Sequence, residues 1–350
     1  SLKSFYETSY LGLAAPQPGL SRLPGGLAYY QAWLDWHTTT RMTPRQIHDL
    51  GLAEVARIGA QMDALVVSSG FKGTREQFQQ FLSTDPRFFF TRPEDMLAAY
   101  RDIAKRADAA LPALFAELPR LTYGIRAMRP EEGDNAEHYI EGSAQSGRPG
   151  WFEANVNNLK TRPTWQMETL LLHEAVPGHH LQVARAQELG QLPAFRRHAW
   201  FVAYGEGWAL YAESLGEEMG LYQDPHQKFG NLANEMLRAC RLVVDTGLHA
   251  FGWTREQAID YMVTHTGLTR ASLVAEVDRY LVWPGQATAY KLGELKIKEL
   301  RARAQARLGE RFDLRRFHNM VIDQGALPLV VLEQSIDEWI ATEAAKVAAK

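Results

Sequence analysis

Leu171-Leu172-His173-Glu174-Ala175-Val176-Pro177-Gly178-His179-His180 brings three imidazoles and a carboxylate into eight positions at the end of an apolar run. In an ordinary core, side chains of these types packed so tightly would strain one another. A divalent cation gives imidazole lone pairs and a carboxylate a reason to converge. The stretch therefore reads as a metal site carried on a helix, and it sets the expectation for the whole chain: a mainly helical protein built around that helix.

The closest simple pattern is His-Glu-x-x-His, in which two histidines one turn apart bind zinc and the glutamate between them activates water. This sequence departs from it, because position 177 is proline and the next histidines stand at 179 and 180. On a regular helix His179 lies about 120° around the axis from His173, and His180 only about 20°. Regular geometry thus favours His180. Pro177, however, cannot donate to the carbonyl of His173 and crowds it, and Gly178 tolerates backbone angles that other residues resist. A two-residue bulge at Pro177-Gly178 would move His179 into the second ligand's place, so His179 is preferred and His180 comes second.

A catalytic zinc commonly has three protein ligands and one open position. Tyr204-Gly205-Glu206-Gly207-Trp208-Ala209-Leu210-Tyr211-Ala212-Glu213 offers the third. Glu206 sits between two glycines that allow close backbone approach, and Glu213 follows on the same helical face. One carboxylate can bind the ion while the other orients a histidine. The expected cofactor is a single zinc ion on His173, His179 and Glu206, with Glu174 left free to act as general base.

Outward from this centre, residues 121–157 alternate short β-prone stretches with Gly, Asn, Asp and Ser, which predicts a small antiparallel sheet just before the histidines. An edge strand there could pair with an extended peptide. Residues 1–120 read as a helical lead-in after an irregular opening to about Ala28. Thr43-Pro44-Arg45-Gln46 and Thr74-Arg75-Glu76-Gln77 carry capping-box signals, and a helix is expected over 91–117, opened in the same manner by Thr91-Arg92-Pro93-Glu94. From Thr164 to the end the periodicity predicts helices over 164–189, 193–217, 225–251, 255–266, 270–282, 286–308, 313–324 and 328–346. The run Ala344 to Lys350 is expected to fray. The 350 residues are read as one catalytic domain.

Composition narrows the function classes. The 46% hydrophobic and 23% charged content supports a large core. A net charge of -3 provides no basic field for nucleic acid, and no apolar run is long enough for a membrane span. The single cysteine, Cys240, excludes an internal disulfide and a cysteine-based metal cluster. Neither cytoplasm nor periplasm is selected, and the oligomeric state is not legible.

Four segments in order carry a resemblance: His-Glu-Ala-Val-Pro-Gly-His-His, Gly-Glu-Gly-Trp-Ala-Leu-Tyr-Ala-Glu, Arg241-Leu242-Val243-Val244-Asp245-Thr246-Gly247-Leu248-His249, and Trp283-Pro284-Gly285-Gln286-Ala287-Thr288-Ala289-Tyr290-Lys291. They resemble the bacterial "domain of unknown function 885" family over nearly all of the chain. Members of that family are usually longer at the N-terminus, which implies a C-terminal portion or a processed form. The family is regarded as zincin-like, with an architecture similar to that of thimet oligopeptidases and thermostable carboxypeptidases. The resemblance implies that Tyr290 faces the substrate carbonyl as transition-state donor, with Gln286 one turn earlier. Asp245 and His249, four residues apart, suit a pair behind the metal ligands, a substrate contact or a core hydrogen bond. Arg241, Arg279 and Lys291 are candidates for meeting a substrate carboxylate.

The expected activity is zinc-dependent hydrolysis of short peptides or related amides, with Glu174 moving the proton. Two other readings fit the same residues. Two histidines and a carboxylate also describe a non-haem Fe(II) oxygenase site, and the proline within the motif is compatible with a helical binding protein that has no catalysis.

Overall fold

The computed structural model describes residues 1–12 and 18–346. Pro16 of the expected irregular opening and Val347–Lys350 of the expected C-terminal fraying lie outside the described residues. A short helix α1 (Leu2–Phe5) runs into a π-turn at Tyr6–Tyr10. Helix α2 (Gly26–Thr38) follows where none was expected. It begins on Gly26 after Gly25, with no capping side chain, and its buried Tyr30 and Leu34 hold it in place.

Helix α3 (Pro44–Ser68) and helix α4 (Arg75–Thr84) start in full capping boxes, Thr43 with Gln46 and Thr74 with Gln77. In both, the threonine and glutamine each satisfy a backbone N–H that the first turn leaves unpaired. Helix α5 (Pro93–Leu114) is shorter than expected and begins on Pro93 without a side-chain cap. Proline serves there because its missing N–H would have had no partner in the first turn.

The sheet holds β1 (Tyr123–Ala127), β2 (His138–Ile140) and β3 (Gly150–Ala154) in the order β1-β3-β2. The expected antiparallel sheet is mixed. β2 and β3 form a hairpin with Tyr139 opposite Phe152, while β1 runs parallel to β3 with Ile125 opposite Phe152. The reason lies in the β1–β2 connection. It does not fold back as a hairpin but passes the end of β3, where the side-chain amide of Asn155 donates to the carbonyls of Gly133 and Asn135. The chain thus re-enters on the far edge of β3.

The predicted helix over 164–189 is two helices, α6 (Met167–Glu174) and α7 (His179–Glu188). That over 193–217 is also divided, into α8 (Ala194–His198) and α9 (Val202–Ser214), with Ala199 in extended conformation between them. Helices α10 (Pro225–Ala250), α11 (Arg255–Thr266), α12 (Arg270–Val282), α13 (Ala289–Leu308), α14 (Leu314–Ile322) and α15 (Leu329–Ala345) complete the chain.

Two large apolar cores, with a smaller one around Tyr30 and Leu34 of α2, organise these elements. One gathers the inner faces of α5, α6, α9 and α13 to α15 with Phe152 of the sheet. The other gathers α3, α4, α11 and α12 around α10. Helix α6 packs on both α9 and α10, so the histidine stretch lies where the two cores meet. No helix among the described residues is long and apolar enough to cross a membrane.

Candidate metal centre

Helix α6 ends at Glu174, and a turn of Ala175 to Gly178 leads directly into α7 at His179. The motif is therefore broken outright rather than bulged. Gly178 is indispensable to the turn: a Cβ at that position would stand 1.9 Å from the carbonyl oxygen of His173 and 2.4 Å from that of Leu172. The indole N–H of Trp208 on α9 donates to the Pro177 carbonyl at 2.8 Å and fixes the turn against the neighbouring helix. The result folds His179 back onto His173, with ring centroids 4.8 Å apart and nearly perpendicular.

Glu206 of α9 faces both rings. Its Oε2 lies 3.5 Å from His173 Nε2 and 3.4 Å from His179 Nε2, and one ligand atom from each of the three residues falls within 4.8 Å of the others. These separations are longer than good N–H···O bonds. They match the spacing of about 3.3 Å between ligands that each hold one ion tetrahedrally at about 2.0 Å. His179 Nδ1 is buried without a hydrogen-bond partner. The donor set of two imidazoles and one carboxylate fits a zinc ion.

Behind the ligands, Glu213 fixes His173. Its Oε1 accepts from His173 Nδ1 at 2.7 Å, and its Oε2 accepts from the Thr169 hydroxyl at 2.8 Å and the Asn234 amide at 2.6 Å. With Nδ1 held by Glu213, Nε2 is the ring atom turned toward Glu206. Burial works against charge on this imidazole, but Glu206 and Glu213 outweigh it and raise its pKa to about 10. Burial likewise pushes the Glu206 carboxyl upward, yet His179 and His173 hold it well below the usual carboxylate range.

Glu174, next to the first histidine, is held from the sheet. Its Oε2 accepts the backbone N–H of Tyr139 at 2.9 Å, which ties the carboxylate to the outer edge of β2. His180 also serves this junction and stands apart from the ligand group. Its Nε2 donates to the Leu121 carbonyl at 3.0 Å and its Nδ1 accepts from the Tyr139 hydroxyl at 3.1 Å. Burial lowers its pKa to about 4, in keeping with a neutral ring. Gly150 makes room for it, since a Cβ there would stand 2.6 Å from His180 Nδ1.

The glycines around Glu206 have separate tasks. Gly205 accommodates the Trp200 ring, which a Cβ would meet at 2.2 Å, and Gly207 touches Gly293 of α13, with 2.4 Å from a Cβ to the opposing Cα. Helices α9 and α13 therefore meet backbone to backbone. Tyr290, one turn before that contact, has its hydroxyl 3.4 Å from both Arg279 Nη2 and Gln286 Nε2, with the Arg241 guanidinium 4.7 Å from its ring centre.

Three of the residues singled out from sequence belong to the core. Asp245 accepts from the Tyr30 hydroxyl at 2.5 Å and the Gly285 N–H at 3.0 Å, and His249 Nε2 donates to the Tyr280 carbonyl at 3.0 Å. They are not hydrogen-bonded to each other. Lys291, read as a substrate contact, is wholly buried, with its ammonium 2.6 Å from Glu294, 2.7 Å from Glu235 and 3.1 Å from Glu54. Its three donors are all taken, so that expectation is corrected.

Sequence reasoning missed Tyr139, Thr169, Asn234 and Trp200. Asn234 had a signal: with Arg238, Arg241, Asp245 and His249 it forms a polar stripe along α10, too long for a helix buried only for its apolar side chains. Trp200, whose ring lies 5.8 Å from that of His179, had none, because its position depends on the break between α8 and α9.

Together these features define a mainly helical protein with a small mixed sheet and a His-His-Glu group, its histidines buried and its glutamate half-buried, that could hold a metal ion. The chain belongs to the family described as bacterial protein of unknown function (DUF885), whose model matches residues 1–336. Among solved structures it is similar to "the putative lipoprotein from Colwellia psychrerythraea", with 39% identity and a TM-score of 0.91, covering 95% of this chain and 58% of that one. It also shares its fold with "a putative lipoprotein of unknown function from Shewanella oneidensis", at 19% identity and a TM-score of 0.77, covering 95% of this chain and 62% of the other. The chain thus spans about three-fifths of the length of these structures. No curated protein matches.

Proposed function

We propose that this chain is a zincin-like, zinc-dependent hydrolase acting on peptide or related amide bonds of short peptides, related in architecture to the thimet oligopeptidases and thermostable carboxypeptidases. The observation that carries this reading is the convergence of His173, His179 and Glu206 at ligand-to-ligand spacing, with a second carboxylate, Glu174, directly beside the first histidine. Neither a structural metal site nor an oxygenase triad has an evident use for that extra carboxylate.

A zinc ion on these three residues would supply a water of pKa lowered toward ~7 and polarise the scissile carbonyl. Glu174 then accepts the proton of the attacking water and passes it to the leaving amine. Its bond to the Tyr139 N–H keeps it aimed from the sheet edge. An extended substrate adding to the outer edge of β2 would bring its backbone alongside this same carboxylate. Tyr290 donates to the oxyanion. Its oxygen already faces two donors, Arg279 and Gln286, which leaves the phenol proton for another acceptor.

The test combines metal analysis with turnover of short peptides. Expected are one zinc per chain, chelator-sensitive cleavage restored by zinc, and a Glu174→Gln variant that keeps the metal but loses cleavage. Full activity in Glu174→Gln, or stoichiometric iron with oxygen-dependent turnover, would overturn the reading.

A further inference from the structure

The sheet carries a second meeting of histidine and carboxylates, built from none of the residues of the helical centre. Across the three strands Arg126, Glu153 and His138 stand opposite one another in register and so share one face of the sheet. Glu132 joins them from the 3₁₀ turn at Pro130–Glu132, in the connection between β1 and β2. One ligand atom each from Glu132, His138 and Glu153 falls within 4.8 Å of the others.

In each of the three side chains one polar atom is taken and the other faces the group. Glu153 Oε1 accepts from Arg126 Nε at 2.6 Å, and Glu132 Oε1 accepts from Arg129 Nε at 3.0 Å. His138 Nδ1 donates to the Ala136 carbonyl at 3.2 Å. A carbonyl can only accept, so in the neutral ring Nε2 is the bare nitrogen. It lies 3.6 Å from Glu153 Oε2 and 3.8 Å from Glu132 Oε2. None of these three facing atoms has a hydrogen bond among the described residues, although Glu153 is only 5% exposed. Histidines that pair with carboxylates elsewhere in the chain close the gap, His226 Nδ1 to 2.5 Å from Asp224 and His173 Nδ1 to 2.7 Å from Glu213. The separations around His138 are too long for hydrogen bonds. They are wider by a few tenths of an ångström than the spacing of about 3.3 Å that one tetrahedral ion imposes, which a small rotation of the Glu132 side chain would close. An outer partner orienting each ligand is the usual surrounding of a bound metal.

We propose that Glu132, His138 and Glu153 form a second divalent-cation site, of the zinc class because an imidazole is among the ligands. Arg126 and Arg129 already balance the two carboxylates, so the ion brings surplus positive charge and is held less tightly than on the helical centre. Once bound, it ties the β1–β2 connection to β2 and β3. Tyr139, whose N–H holds Glu174, directly follows His138, so the ion stiffens the strand edge that carries this carboxylate. The inference stands independently of the hydrolase reading.

The experiment counts ions on the full chain. Metal-free protein is titrated with zinc chloride and followed by native mass spectrometry and by competition with a chromophoric chelator. Two ions are expected, the tighter one lost in His179→Ala and the weaker one in His138→Gln. Losing an outer partner of a ligand costs about 10- to 100-fold in affinity, so loss of the His138 ligand itself should cost more than about 100-fold. Glu132→Gln, placed in a turn, should weaken the same ion without disturbing the strands, and metal-free melting temperatures check that both variants fold. An ion count and affinities unchanged by His138→Gln and by Glu132→Gln overturn the proposal. A count that falls in these two variants but not in His179→Ala would sink the helical centre and leave the sheet site standing.

Discussion

Two groups of buried charge lie a short way apart in this molecule, and they are built on opposite principles. Around Lys291, the carboxylates of Glu54, Glu235 and Glu294 close on the ammonium at 2.6 to 3.1 Å, and Arg57 adds a second cation on Glu54 and Glu235. Every donor is used. Around Glu206, two imidazoles stop with Nε2 at 3.4 and 3.5 Å from its Oε2. A cluster that satisfies itself ties helices together. One that stops short of hydrogen bonding has a place for something else, and that difference separates fold from function more reliably than the identity of the charged residues.

The sharpest way to break this contrast is to remove Lys291. Lys291→Met leaves three carboxylates in the core with only Arg57 and Lys298 nearby, and loss of one member of such a pair typically costs about 3–5 kcal/mol. A fall in the denaturant midpoint of that order is expected; an unchanged midpoint would show that the cluster does not tie α3, α10 and α13 together. The metal centre should respond in a different currency. Asn234→Ala removes one support of Glu213 and should weaken zinc binding about 10- to 100-fold, read by competition with a chelator, while the metal-free melting temperature stays nearly constant.

His179→Ala should reverse the usual rule for buried polar groups. In the metal-free protein it deletes an imidazole whose Nδ1 is unpaired, so its stability cost should be small, about 1 kcal/mol or less. Zinc should then no longer raise the melting temperature. A large metal-free loss would mean that His179 is an ordinary core residue.

Acid distinguishes the buried groups once more. Burial lowers the pKa of His318 to about 3 and of His37 to about 4, so both rings are neutral in the folded protein. The unfolded chain binds those protons first, and stability is expected to decline as pH falls from about 6.5 toward 4. Glu235 is governed by the opposite case. Burial raises its pKa, but Lys291, Lys298 and Arg57 bring it down to about 2. Its contribution is present above the unfolded carboxylate pKa and is lost only as pH falls from about 4.5 toward 2. Melting temperatures across pH 7 to 3 should show the earlier decline, and it should shrink in His37→Asn. A flat profile above pH 4.5 would contradict the assignment of neutral rings.

Much of this architecture was legible in the sequence because local chemistry decided it. Thr43 and Thr74 with their glutamines, and Asp224 before Pro225, start helices where capping places them. Helix α2 escaped notice because it starts on glycine and relies on packing of Tyr30 and Leu34, which is tertiary information. The mixed sheet escaped for a similar reason: strand direction depends on where a connection passes, and here Asn155 holds that connection from a distance. At the centre, the residue types and the disruption by Pro177 and Gly178 could be read directly. That the helix stops altogether could not, because it depends on how closely the Gly178 backbone meets the carbonyls of Leu172 and His173.

The contact of Gly207 with Gly293 has a mechanical consequence. Two helices that touch main chain to main chain cannot slide or tilt past each other without separating, so the wall bearing Glu206 and the wall bearing Tyr290 move as a single piece. The opposite side meets the centre through side chains, the Glu174 carboxylate and the His180 ring on Tyr139 and the Gln187 amide on Glu141 and Gly142, with Phe152 of β3 packed in the core behind. Any opening of the site is therefore expected between this helix pair and the β2 edge rather than within the pair.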